Sequence, residues 1–98
     1  MASTPEAKVK KRVVAELKAI GAYFFYPVTG GYGSSGVPDI VGCCDGKFFG
    51  IECKAGRNTV TALQQKNLQD IQAAGGIALV INEDNIHEIR ETLYARTY

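Results

Sequence analysis

Nowhere does this chain run to about 18 apolar residues in succession, so no segment is expected to cross a membrane as a helix. Its opening stretch, "MASTPEAKVKKR", is polar and leads into a charged helix, which is not the pattern of a signal peptide. There are three cysteines, an odd number, and two of them, Cys43 and Cys44, are adjacent. That is a poor disulfide framework. A reducing, cytoplasmic compartment is expected instead, with Cys43, Cys44 and Cys53 acting as small buried hydrophobes. No C-x-x-C pair is present and the one histidine, His87, sits in an acidic stretch, so a zinc site of thiolates or imidazoles is not expected. A metal here has to be held by carboxylate oxygens, the ligands that suit Mg²⁺ or Mn²⁺. Repeats, low-complexity tracts and dividing linkers are missing as well, and the 98 residues read as one domain, 1–98.

What is there suffices for a core: 46% of the residues are hydrophobic and 21% charged, so the chain is not a disordered tail. A domain this small buries only about 60–65% of its unfolded surface, and dimerisation would widen its stability margin. The net charge is +1, but it is unevenly spread. Residues 1–66 carry nine Lys or Arg against five Asp or Glu, and residues 67–98 carry two against five. The basic part includes "KVKKR" (8–12), Lys47, Lys54, Arg57 and Lys66, and such a face is compatible with phosphate contacts as well as with simple solvation.

Thr4-Pro5-Glu6 has the signature of a helix start: a capping residue, a proline at the first helical position and an acid in the first turn. Val9, Val13, Leu17 and Ile20 then form one stripe, and Gly21 ends the helix. "AYFFYPV" (22–28) reads as a strand, "TGGYGSSG" (29–36) as a flexible loop and "PDIVGCC" (38–44) as the next strand. Asp45-Gly46 signals a two-residue hairpin, with "KFFGIECK" (47–54) returning. A helix is expected over 61–74, stopped by Gly75-Gly76, then a strand buried on both faces over 77–81 and a last helix over about 83–95. The expected fold is α/β (α+β), in the order αβββαβα, with a mixed sheet: a three-stranded meander plus a fourth strand brought in by a crossover helix.

Two charges interrupt the apolar strand "GIECK". Positions two apart in a strand share a face, about 6.6 Å apart, so Phe49, Ile51 and Cys53 point one way and Glu52 and Lys54 the other. Asp39 lies six residues before the Asp45-Gly46 pair and Glu52 six residues after it, so a regular hairpin sets them opposite each other. Adjacent carboxylates repel, which raises a pKa or calls for a cation between them. A hard divalent cation resolves the repulsion, polarises a phosphoryl oxygen and activates water, and Lys54 beside it can stabilise developing charge. A cross-strand ion pair on a solvated sheet face would carry the same spacing. On the helices, Glu6 projects near the centre of the first apolar stripe and Glu16 toward its edge. Gln64 falls between Leu68 and Ile71, while Gln65 points away. An acid and an amide therefore aim at the strands from both flanking helices.

With these residues in view, "SGVPDIVGCCDGKFFGIECKAGRNTVTALQQKNLQDIQAAGGIALVI" resembles a VRR-NUC domain, a branch of the PD-(D/E)xK nuclease superfamily. The shared pieces are "SGVPDIVG", the short hairpin, "IECKAG", a Thr-x-x-Leu-Gln helix start and "AAGG" before an apolar strand, over roughly residues 6–90. The resemblance implies a restriction-endonuclease-like core and cleavage of DNA phosphodiesters with Mg²⁺ or Mn²⁺. It implies Asp39, Glu52 and Glu6 as metal ligands, Lys54 as the catalytic lysine and Gln64 as the polar residue completing the site, with Gln65 the other register of "LQQ". It also implies the stand-alone bacterial or bacteriophage form, which works as a homodimer on four-way junctions in DNA repair.

Further contacts to DNA are expected from Tyr32 and Ser35 in the Gly/Ser loop, from Arg57 after the catalytic strand and from Lys66. "AYFFYPV" and "IRETLYARTY" are candidate dimer surfaces, or simply parts of the core. The leading expectation is a structure-selective DNA endonuclease. Other nucleases of the same superfamily, nicking or flap-cutting, and a non-catalytic nucleic-acid-binding module of the same fold are the alternatives.

Overall fold

The computed structural model describes residues 4–28 and 36–94. Helix α1 spans Pro5–Ala19, and the Thr4 hydroxyl caps it by accepting from the Ala7 amide at 3.0 Å. Strand β1 is Tyr23–Phe25, β2 Ile40–Cys44 and β3 Lys47–Cys53. Helix α2 spans Ala62–Ala73, and β4 is Ile77–Ile81. The four strands form one mixed sheet in the order β1-β2-β3-β4, antiparallel except for the parallel pair β3–β4 that α2 connects. β1 is shorter than 22–28, because Pro27 has no amide to offer a ladder.

The hairpin turns on Asp45 and Gly46, with φ of 58° and 82°. Positive φ at both central residues is the type I′ geometry that matches strand twist. Register follows from it: Cys44 pairs with Lys47 and Ile40 with Ile51, which puts Asp39 level with Glu52 one step beyond the last pair.

One face of the sheet packs the α1 stripe (Val9, Val13, Leu17, Ile20) against Ile40, Phe49, Ile51, Cys53 and Ile81, with Ile89 and Leu93 closing the cluster. The other face, which carries Glu52, is covered by α2 over β3 and β4. Around Glu52, which is 2% exposed, this face is not solvated. The run 77–81 is not buried on both sides either: β4 is an edge strand and Val80 stays 39% exposed.

The helix expected over 83–95 does not form as such. Asn82 Oδ1 accepts from the Asp84 amide (2.8 Å), Asn85 Oδ1 accepts from the Asn82 amide (2.7 Å) and Asn85 Nδ2 donates to the Val80 carbonyl (2.9 Å). These asparagine bonds compete with helix hydrogen bonding, and a π-helical turn, Arg90–Tyr94, follows. Of the cysteines, Cys44 and Cys53 are buried but Cys43 is exposed, on the half of the sheet face that α2 leaves bare. His87 is exposed.

Gly42 marks the tightest approach of two strands. A Cβ there would fall on the Tyr23 carbonyl oxygen and against Phe24 Cα, both backbone atoms that cannot rotate away. Gly42→Ala is expected to separate β1 from β2 and to cost about 2–4 kcal/mol, at or above the usual range for overpacking. Urea unfolding measures it; an unchanged midpoint would contradict this account.

Candidate active site

Among the described residues Glu52 is the one charged or polar side chain that is buried, at 2% exposure. Its strand supplies the reason. β3 is paired on both sides, and Gly50, two residues earlier on the same face, has no side chain to hold α2 off. A Cβ on Gly50 would lie 2.6 Å from Ile71 Cδ1. The helix thus sits close enough for Gln64 Nε2 to donate to Glu52 Oε2 at 2.9 Å. Lys54 follows two residues on, with its backbone amide bonded to the Ile81 carbonyl (2.9 Å), so the parallel ladder extends to it. Its Nζ lies 3.7 Å from Glu52 Oε2. Glu52 Oε1 is buried, and among the described residues no donor meets hydrogen-bond geometry with it, although the Asp39 backbone N–H lies close enough to the carboxylate to favour its charged form slightly.

Asp39 borders this group. Its Oδ2 accepts from the Cys53 amide at 2.9 Å, taking over where the β2–β3 ladder ends. The side chain is therefore held beside Glu52 by the strand that carries Glu52. Burial pushes the Glu52 carboxyl up from 4.5 to about 7, the Asp39 charge adds to the rise, and the Lys54 ammonium opposes it. Burial likewise lifts the Cys53 thiol to about 12, with Asp39 next in effect, so this cysteine is no nucleophile.

The sequence-predicted residues divide as follows. Asp39, Glu52, Lys54 and Gln64 come together, and Gln65 is exposed and takes no part in the contact to Glu52. Glu6 does not point into the core. It is exposed in the first turn of α1 and reaches Glu52 only through its charge, a minor contribution to the raised pKa. The first turn of α1 lies by the loops after β3 and β4, where Glu6 borders an open cavity lined by Ala55, Gly56, Asn58 and Glu83. Glu16 is likewise not a site residue, since it bonds Arg90 Nε at 2.7 Å. Lys66 pairs with Asp70 at 2.9 Å on the outer side of α2, and Arg57 is exposed in the loop after β3. Tyr32 and Ser35 lie outside the described residues.

Two contacts were not anticipated. Thr61 and Gln64 form a capping box at the start of α2, for which the Thr-x-x-Gln spacing was the available signal. Glu83 accepts from the Gly56 amide at 3.0 and 3.2 Å, tying the loop after β4 to the loop after β3. No short sequence pattern announces that long-range pair.

Glu52 and Asp39 are the groups that could hold a metal. Among the described residues no three His, Cys, Asp or Glu gather into a ready-made ligand set, so Glu6 does not complete one. Two carboxylates nevertheless fit a hard divalent cation, because Mg²⁺ is commonly bound through one or two carboxylates, with water and substrate oxygens filling its remaining positions. The unpartnered Oε1 and the mutual repulsion of the two acids are the features such a cation would relieve. Compared with protein-family models and with curated proteins, the chain matches none. What the site can do has to be read from its own chemistry.

Proposed function

We propose that this chain is a metal-dependent DNA endonuclease of the VRR-NUC type, within the PD-(D/E)xK superfamily, hydrolysing phosphodiester bonds in branched DNA such as four-way junctions. The observation that carries the reading is the buried Glu52 carboxylate, with one oxygen unpartnered among the described residues, set between Asp39, Lys54 and the Gln64 amide. A structural ion pair has no use for a bare buried oxygen, which costs about 1–3 kcal/mol.

In this reading Asp39 and Glu52 hold Mg²⁺ or Mn²⁺, which when bound polarises the phosphate and lowers the pKa of a water. Gln64 fixes the rotamer of Glu52 by donating to Oε2. Lys54 supplies positive charge where the phosphate oxygens become more negative as water attacks phosphorus and the sugar oxygen leaves opposite to it. Arg57, exposed just beyond β3, is available to a flanking phosphate.

Paired cuts in a junction require two sites related by a twofold axis, and the reading includes a homodimer. It is supported by Tyr23 (71% exposed), Phe25 (49%) and Phe48 (47%), which stand on the part of the Glu52 face that α2 leaves bare. The reading also carries a reducing, cytoplasmic setting, which suits three cysteines that form no disulfide; no helix of the described residues is long and apolar enough to cross a membrane.

The test is incubation with labelled four-way junction, flap and linear duplex DNA, with Mg²⁺ or Mn²⁺ and with chelator. Cutting that requires the cation and favours the junction is the expected result. Absence of cation-dependent cutting on all three substrates would sink the proposal, and a monomer by sedimentation at micromolar concentration would remove the paired-cut part.

A further inference from the structure

The carboxamide of Gln64 is held at both ends. Its Oε1 accepts from the Thr61 amide at 2.9 Å, and its Nε2 donates to Glu52 Oε2 at 2.9 Å. Thr61 Oγ1 in turn accepts from the Gln64 backbone amide at 3.2 Å. A carboxamide has one acceptor end and one donor end. At the helix start only an acceptor can satisfy the Thr61 N–H. The oxygen is therefore committed to the cap, and the NH₂ is what remains for Glu52. An unrestrained glutamine could turn its oxygen toward the carboxylate or leave it altogether.

We propose that Thr61 is a positioning residue of the Glu52 site: its hydroxyl, bonded to the Gln64 backbone amide, fixes the capping residue so that its backbone N–H holds Gln64 Oε1, a donor occupies Glu52 Oε2 and Glu52 Oε1 is left as the oxygen open to a divalent cation. The inference rests on the reading of Asp39 and Glu52 as a cation site. A cap that merely stabilised α2 would behave differently. It would affect melting temperature but neither the environment of the Gln64 amide nor the affinity of the carboxylates.

Four variants of the whole chain separate the two cases: Thr61→Ala, Thr61→Ser, Gln64→Ala and the double variant Thr61→Ala/Gln64→Ala. Mn²⁺ binding is measured by calorimetry. The Gln64 side-chain amide is followed by ¹⁵N–¹H correlation spectra without metal. Thr61→Ala keeps the N–H that holds Gln64 Oε1 but removes the hydroxyl whose bond to the Gln64 backbone amide holds the capping residue against the helix, so the N–H is no longer fixed toward Oε1. The variant is expected to bind Mn²⁺ about tenfold more weakly, the low end for groups that orient metal ligands. Its Gln64 NH₂ resonances should move toward those of a free side chain. Thr61→Ser, which keeps the hydroxyl, should restore both. In the Gln64→Ala background Thr61→Ala should cost no further affinity, yet still lower the melting temperature, because Oγ1 continues to cap the backbone amide at position 64.

Equal affinity losses in both backgrounds, or Gln64 resonances that Thr61→Ala leaves in place, would overturn the proposal in a protein that binds Mn²⁺. A wild-type chain that binds no Mn²⁺ would instead overturn the cation site itself and the role of Oε1 with it.

Discussion

Glu52→Gln should make the metal-free protein more stable at pH 8 while reducing DNA cutting by more than about 10²-fold, beyond what loss of a group that only orients a metal ligand costs. The reason is the buried carboxyl. Its pKa is about 7 in the folded chain against 4.5 for an ordinary glutamate. Between those values the folded protein holds a proton that the unfolded chain has released. Stability therefore falls as pH rises from about 4.5 to about 7, and the penalty is fully present above that window. At 1.36 kcal/mol per unit the penalty is about 3 kcal/mol. Glutamine has no charge to desolvate but must still find partners for its amide, so a net gain of about 2 kcal/mol is expected, or ~10 °C in Tm. At pH 5 the gain should be nearly gone. Thermal melts of both proteins in chelator at the two pH values measure this. An equal difference at both pH values would mean that the carboxyl is not the source. A group kept ionisable in the core at a cost to stability is what a site selected for function produces.

Lys54→Ala is expected to lower the cutting rate by about 10²–10³-fold, the loss typical when one donor to developing charge is removed, without weakening Mn²⁺ binding. Lys54 lies 3.7 Å from Glu52 Oε2, with its side chain only 12% exposed. It lowers the Glu52 pKa, and so competes with a cation for the same carboxylate. Removing it takes a positive charge out of the neighbourhood, which should leave Mn²⁺ affinity unchanged or higher. A variant that both cuts poorly and binds Mn²⁺ poorly would show that Lys54 supports the carboxylates and not the phosphate. The stability effect has its own pH signature. The Lys54–Glu52 attraction exists only when Glu52 is ionised, so the variant should lose more stability at pH 8 than at pH 5.

How far the sequence could be read differs from element to element. The hairpin was legible because its causes are local: Asp45-Gly46 accepts positive φ at both positions, and a strand period of two then carries the register outward to Asp39 and Glu52. The inward aim of Gln64 was legible because α2 is regular from its first turn. The outward aim of Glu6 was not legible, because a projection along a helix does not show what lies beneath its first turn: there α1 faces loops and an open cavity, and Glu6 is exposed. The C-terminal helix was misjudged because Asn82 and Asn85 satisfy backbone groups by themselves. The Glu83–Gly56 clamp joins residues 27 apart and leaves no periodic trace.

The order of elements through β4, the turn, the pairing of β2 with β3 and the sharing of a face by Glu52 and Lys54 follow from interactions between near neighbours in the chain and can be read from the residues alone. That the face is dry around Glu52 is a matter of packing. Gly50 admits α2, α2 brings Gln64 onto one oxygen of Glu52, and the other oxygen is left buried with no donor in hydrogen-bond geometry among the described residues. Burial depends on which helix covers which face, and that is settled by packing across the whole domain.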